Sequence, residues 1–395
     1  MTDLFADHQV PLDLLAKRAF NFRWAETEPG VIPLTAADPD FPVAREIRDA
    51  ISDYAQSGLF SYGPHLGLKD FRLALAEAMG QRRGYDLNPD WILPIDSAAS
   101  GMYAIARAYL RPGDEMIIFD PVDFLFEQSA LAAGATVKRC PFDEASGRFR
   151  LDRLDGMVSD RTRLIGVCNP HNPLGRLMRQ DELAEIAAFA ERHDLWIMND
   201  EIWSDIVFPE QDFVSFHHQP LSSDRVITVY GFSKAFGLAG LRIGAVMAPS
   251  QESFDAITAA AHVMTTAGGV ATLSQVAATT ALRDCWYWVD AFTDHLRAQR
   301  DLAVARLNAM PGVSCTVPEA TYLLFPDIRA TGMAAEALVD HLHREARLAV
   351  VPGNARFFGP GAEGHIRICF ATSRAILSEG LDRMEKALIA LRQGR

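Results

Sequence analysis

Five short runs between residues 115 and 247 are apolar at nearly every position: "EMIIF" (115–119), "RLIGVC" (163–168), "LWIMN" (195–199), "VITVY" (226–230) and "IGAVM" (243–247). A strand with water on one face alternates polar and apolar residues; runs without that alternation predict strands buried on both faces. Between two of them, "DELAEIAAFAERHD" (181–194) spaces its apolar residues three and four apart, which predicts an amphipathic helix. Strand and helix in alternation predict an α/β domain on a mainly parallel sheet flanked by helices. After about residue 285 the texture changes. A helical stretch (291–310) leads into the irregular "PGVSCTVPEATYLLF" (311–325), then a strand-like "HIRICFA" (365–371) and a closing helix (376–392), which predicts a smaller α+β domain. The first 45 or so residues are interrupted by prolines and predict an arm. The expected division is therefore an arm at 1–45 that contributes to the small domain, a large domain at 46–285 and a small domain at 286–395.

Composition narrows the function classes. With 395 residues, 49% hydrophobic and 23% charged, the chain can bury a large core without disulfide or metal staples. A formal charge of −13 argues against a nucleic-acid partner. The five cysteines form no C-x-x-C pair, and Cys168 and Cys369 sit in apolar runs, so buried thiols and no metal site are expected. No window of about 18 uninterrupted apolar residues predicts a membrane span. The start "MTDLFADHQVPLDLL" carries acids and lacks a basic-then-apolar pattern, so no signal peptide and a cytoplasmic location are expected.

Signatures of phosphate-loop, dinucleotide, zinc-protease and serine-hydrolase sites are absent. Three other segments carry chemistry: "CNPHNPLGR" (168–176), "IMNDEIWSD" (197–205) and "GFSKAFGLAGLRIG" (231–244). Lys234 falls just past the strand "VITVY", and the carboxyl edge of a parallel sheet is where open α/β folds place reactive groups. A neighbouring cation, for which Arg242 is the candidate, favours the neutral amine that a Schiff base needs. Asp200 ends another strand at the same predicted edge, where a carboxylate can keep a pyridine nitrogen protonated. Asn172 lies in a turn locked by two prolines, which aims its side chain. In "DSAASGMYAIARAYL" (96–110), small residues precede a helix, an arrangement that offers backbone N–H groups to an anion such as a phosphate. Taken singly, each has an ordinary structural reading: a surface lysine, a helix cap, a turn asparagine, a common helix start.

Taken together, the set resembles the fold-type I pyridoxal-phosphate enzymes of the class I/II aminotransferase superfamily. The likeness runs from "LTAADPDFP" (34–42) to "HIRICFATS" (365–373), with S-K-x-F-G-L-x-G-x-R-x-G and an upstream N-P-x-N-P-x-G as its most specific parts. The resemblance implies pyridoxal 5′-phosphate bound covalently to Lys234, external aldimine and quinonoid intermediates, and Asp200 on the pyridine nitrogen. It gives Asn172 the ring's 3-hydroxyl, Ser97, Ala98, Ala99 and Arg242 the phosphate, and Arg367 the substrate α-carboxylate. Ala37 matches a pocket-lining glycine. Tyr62 matches a tyrosine that reaches the neighbouring subunit's phosphate, which implies a homodimer with shared active sites.

Some positions depart from that pattern. Trp203 replaces a tyrosine often found on the 3-hydroxyl and can donate but not accept a hydrogen bond. Gly231 replaces a phosphate-binding Ser or Thr, with Ser233 nearby. Asp123 stands where relatives stack an aromatic ring on the cofactor. Either Asp123 turns to solvent while Phe124 stacks, or it accepts a hydrogen bond from the substrate or assists proton transfer. Tyr103, Phe126 and Tyr322 are further candidates for the pocket lining or the core. The expected reaction is transamination of an L-amino acid. The sequence frame looks closest to cystathionine β-lyase-like C–S lyases, so β-elimination to pyruvate, ammonia and a thiol is the alternative, with decarboxylation or oxidative deamination a third.

Overall fold

The protein is described here by a computed structural model covering residues 3–219 and 224–393. A two-residue strand, β1 (Ile32–Pro33), precedes the main-sheet strands β2 (Ile92–Ile95), β3 (Glu115–Asp120), β4 (Thr136–Asp143), β5 (Arg148–Phe149), β6 (Thr162–Cys168), β7 (Trp196–Asp200), β8 (Val226–Gly231) and β9 (Gly244–Met247). Four short strands follow: β10 (Leu323–Leu324), β11 (Leu348–Ala349), β12 (Val351–Pro352) and β13 (Ile366–Cys369).

The main sheet has the order β2-β9-β8-β7-β6-β3-β4-β5. Strands β4, β3, β6, β7 and β8 are parallel neighbours, as the doubly apolar runs predict. Along β3, Met116 and Ile118 pack into one apolar cluster while Ile117 and Phe119 pack into another on the opposite face. That is why the run shows no polar alternation. One expectation fails: "IGAVM" is a strand, but β9 runs antiparallel to β8, and β2 antiparallel to β9. Burial on both faces fixes apolarity but says nothing of strand direction.

The helix Gln180–Arg192 covers one face; Ala98–Tyr109 and Leu125–Ala132 cover the other. The long helix predicted from residue 291 starts earlier, at Trp286, directly after the preceding helix, with no side-chain cap to announce it. Strands β10, β13 and β12 form a small antiparallel sheet, and β1 pairs in parallel with β11, tying the N-terminal segment to the C-terminal region.

Two reversals of direction leave β2 parallel to β8, so β2, β3, β6, β7 and β8 all end at one edge. Cys168 sits beside Asp200, and Asp200 beside Val229, so the loops after β6, β7 and β8 emerge side by side. The start of Ala98–Tyr109 is drawn against β9 at Gly244, where an added Cβ would lie 2.8 Å from the Tyr230 carbonyl oxygen and 3.1 Å from the Ala98 nitrogen. Both obstacles are backbone, so Gly244→Ala must push helix and strand apart. It is expected to cost ~1–3 kcal/mol, read as a lowered urea midpoint with an unchanged slope.

Candidate active site

The carboxyl edge of the sheet opens into a cavity of about 550 Å³. Asp123 comes from the loop after β3, Asn172 from the loop after β6, Asp200 from the last residue of β7 and Lys234 from the turn after β8. Ser97, Ala98, Ala99, Phe124, Trp203, Ser233, Arg242, Arg367 and Ala37 also line it. Among the residues singled out in the sequence for the site, Tyr62 stands apart: it does not line this cavity and is 90% exposed. Phe126 is buried in the core and also lines this cavity, Tyr103 lines an adjoining one that shares Ser97, Ala99 and Arg242, and Tyr322 is buried in the core.

Ser97 caps the helix Ala98–Tyr109, its hydroxyl accepting from the Ser100 N–H at 3.1 Å. The first N–H groups of any helix have no intrahelical partner, so those of Ala98 and Ala99 are left at the positive end of the helix. The Arg242 guanidinium is exposed at the same wall and has no hydrogen bond or ion pair among the described residues. These groups form a cradle for an anion.

Lys234 Nζ donates to the Ala37 carbonyl oxygen at 2.8 Å and lies 5.3 Å from the centre of the Trp203 ring. Burial pushes its pKa down; Asp38 opposes that shift and Arg367 adds to it. Arg367 is thus the cation that presses most on the amine, a residue that the sequence alone does not place beside it. Asp200 is pushed up to about 7, first by burial and further by Asp123 and Glu201, although the Ile202 N–H donates to it at 3.0 Å. A carboxyl so desolvated calls for a cationic partner, and among the described residues no cation bonds to it.

Arg367, on β13, donates to the Asn172 Oδ1 and the Thr35 carbonyl oxygen, both at 3.3 Å, and stacks over Phe358 with 5.0 Å from Cζ to the ring centre. Its Nε is buried without a partner. Asp123 is half-buried rather than turned to solvent: Oδ1 accepts from the Leu125 N–H at 3.1 Å and Oδ2 from the Asn172 Nδ2 at 2.8 Å. Burial raises its pKa, which Arg367 and Lys234 oppose. Phe124, 40% exposed, also lines the cavity, so acid and ring share the wall.

Sequence reasoning missed the N-terminal contribution. Asn21 and Phe22 line the cavity, both with positive φ, held by a buried pair between Arg23 and Asp40 to which Trp24 Nε1 adds a 2.8 Å bond. Arg23 also donates to the Pro33 and Ala36 carbonyl oxygens, at 3.0 and 3.3 Å. The only signal was indirect: a charged residue flanked by aromatics in the arm. A roomier depression of about 750 Å³ lies near Arg347 and Arg383, but those guanidinium groups are taken by Glu28, Glu379 and backbone carbonyls.

The model of the family described as aminotransferase class I and II matches residues 29–384. An aspartate aminotransferase of Pyrococcus abyssi is 32% identical over 367 residues, covering 91% of this chain and 92% of its own. The aromatic-amino-acid aminotransferase 2 of Thermococcus litoralis is 31% identical over 371 residues, with 93% and 94% covered. The crystal structure of an aromatic aminotransferase from Pyrococcus horikoshii superposes with a TM-score of 0.86 at 32% identity, covering 92% of this chain and 96% of that one.

The raised pKa of Asp200 carries a prediction. A carboxyl whose folded pKa exceeds its unfolded value contributes stability that is present below the unfolded pKa and lost as pH rises through the folded one. In protein stripped of any cofactor, Asp200→Asn should therefore stabilise increasingly as pH rises from about 4 to about 7, and evenly above that. Thermal midpoints of variant and parent across that range are the measurement.

Proposed function

The chain belongs to the class I and II aminotransferases, and from that membership and its cavity we propose that it is a pyridoxal-phosphate-dependent transaminase of L-amino acids. The reading is carried by the meeting of a desolvated amine, Lys234, with a desolvated carboxyl, Asp200, in one cavity beside an anion cradle. The residues present fit that cofactor: Asp200 lacks the cation a protonated ring nitrogen would be, and the N–H groups of Ala98 and Ala99 with Arg242 suit its phosphate. Bound pyridoxal phosphate supplies an aldehyde for covalent attachment and a ring that withdraws electrons from the substrate's Cα.

The protein's own residues do the rest. Lys234 would hold the cofactor through its aldehyde and, with its amine free, would take up and return the proton of the substrate Cα. Burial, which lowers its pKa, favours the neutral amine that a base needs. Asp200 would keep the ring nitrogen protonated. Asn172 would donate to the ring oxygen, Ser97, Ala98, Ala99, Ser233 and Arg242 would hold the phosphate, and Phe124 and Trp203 would line the space for the ring. Arg367, its Nε free, grips the α-carboxylate in the fork-to-fork manner that lysine cannot match. Ala37 trims the wall next to the substrate.

A homodimer belongs to this reading. Tyr62 is 90% exposed beside Leu59 at 72% and Phe60 at 66%, an apolar projection suited to burial against a second copy. There Tyr62 of the partner subunit would reach the phosphate. No helix among the described residues is long and apolar enough to cross a membrane, and the cytoplasm is the compartment proposed. Transamination is preferred to β-elimination because the relatives above carry transaminase names.

For the substrate side chain, the cations lining the cavity are Lys234, Arg242 and Arg367, and each already has a task. The remaining wall is largely apolar, with Phe22, Phe124, Phe357 and Phe358. An aromatic or aliphatic side chain suits that wall, and a second carboxylate would lie unpaired.

Two outcomes test the proposal. Holoenzyme should absorb in the visible, and Lys234→Ala should lose that band and about a thousandfold or more in turnover. With 2-oxoglutarate as acceptor, phenylalanine should exceed aspartate in kcat/KM by about tenfold or more. Release of pyruvate, ammonia and thiol from L-cystathionine without an acceptor would replace transamination by β-elimination.

A further inference from the structure

Asp123, Asn172 and Arg367 form a chain of side-chain hydrogen bonds along one wall of the cavity. Arg367 donates to Asn172 Oδ1 at 3.3 Å, and Asn172 Nδ2 donates to Asp123 Oδ2 at 2.8 Å. The direction of this chain is fixed by chemistry. Guanidinium has no acceptor and an ionised carboxylate has no donor, so one orientation of the Asn172 amide satisfies both neighbours. Asp123 is itself held at two further points: Oδ1 accepts from Leu125 N–H at 3.1 Å and its own N–H donates to the Asn172 carbonyl at 3.3 Å.

We propose, resting on the transaminase reading, that Asp123 is a positioning residue: it locks the Asn172 amide with Oδ1 toward Arg367, and so holds that guanidinium ready for the substrate carboxylate. The lock leaves one Nδ2 hydrogen of Asn172 uncommitted, available to the cofactor's ring oxygen. Without Asp123 the amide is steered by Arg367 alone. Flipped, it would aim a donor at a buried cation, and Arg367 would lose one of its two hydrogen bonds. Asp123 also offsets the cost of burying that guanidinium, being the opposite charge that acts on it most strongly. An aromatic ring at position 123 could do neither.

The bland role for Asp123 is to cap the helix Leu125–Ala132 through its bond to the Leu125 N–H. Asp123→Ser separates the two roles, because serine caps a helix start about as well as aspartate but is too short to span to Asn172. The experiment titrates a non-reacting monocarboxylate, 3-phenylpropionate, against the cofactor band of the holoenzyme, for the parent, Asp123→Ser, Asn172→Ala and the double variant. Asp123→Ser should weaken binding by about tenfold, the worth of one oriented hydrogen bond to a charged group. In the Asn172→Ala background it should have no further effect, since a residue that acts through another is non-additive with it. Parent-like binding in Asp123→Ser leaves only the cap and overturns the proposal; so does full additivity, which would mean that Asp123 acts by charge alone. If the serine variant does not fold, Asp123→Asn enters the same cycle, because its single amide oxygen cannot serve both the Leu125 and Asn172 donors. A parent protein with no cofactor band would overturn the transaminase reading and this proposal with it. A band with indistinguishable variants overturns this proposal alone.

Discussion

The site depends on the in-register parallel pairing of β6, β7 and β8, which sets Cys168, Asp200 and Val229 abreast. A parallel pair cannot close with a hairpin, so each strand must hand over to a loop and a helix at the same edge. Three loops are thereby brought out within neighbouring-strand distance, roughly 5 Å apart. A slip of one residue between β7 and β8 would turn Asp200 or its neighbours to the other face of the sheet. The apolar residues on both faces prevent that slip, and so the core, rather than any bond within the cavity, fixes where the reactive groups stand.

That edge was legible because its rules are local. Lys234, Asp200 and Asn172 each follow an apolar run by one to four residues, and Ser97 precedes a helix as a cap should. Arg367 was legible through family resemblance alone, since "HIRICFA" reads as an ordinary core strand. What sequence could not give is long-range. The direction of β9 depends on its partners and not on its own pattern. The clamp of Arg23 on Asp40 brings Asn21 and Phe22 to the cavity through tertiary contacts that no period or spacing encodes. The like charge of Arg367 acts on Lys234 from an element that lies far along the chain.

The cavity is also an exercise in burying charge. Lys234, Arg367, Asp123 and Asp200 are all partly or wholly removed from water, and each is shifted toward its neutral form by that removal. Opposite charges nearby offset part of the cost: Asp38 and Asp123 for Lys234, Asp123 for Arg367. Asp200 is the member least compensated, and its surroundings gain most from an added cation. A cofactor with a cationic ring and an anionic tail complements such a set in sign as well as in shape.

The hold on Lys234 has a consequence for how the pocket can vary. Its amine is tethered to the carbonyl oxygen of Ala37, which also accepts from Tyr322 Oη at 3.2 Å. A backbone oxygen is present whatever residue stands at position 37. The anchor of the lysine is therefore independent of the side chain that shapes the wall beside it. The side chain at position 37 can change the shape of the cavity wall while the amine keeps its tether, so shape and anchoring at this wall are separately adjustable.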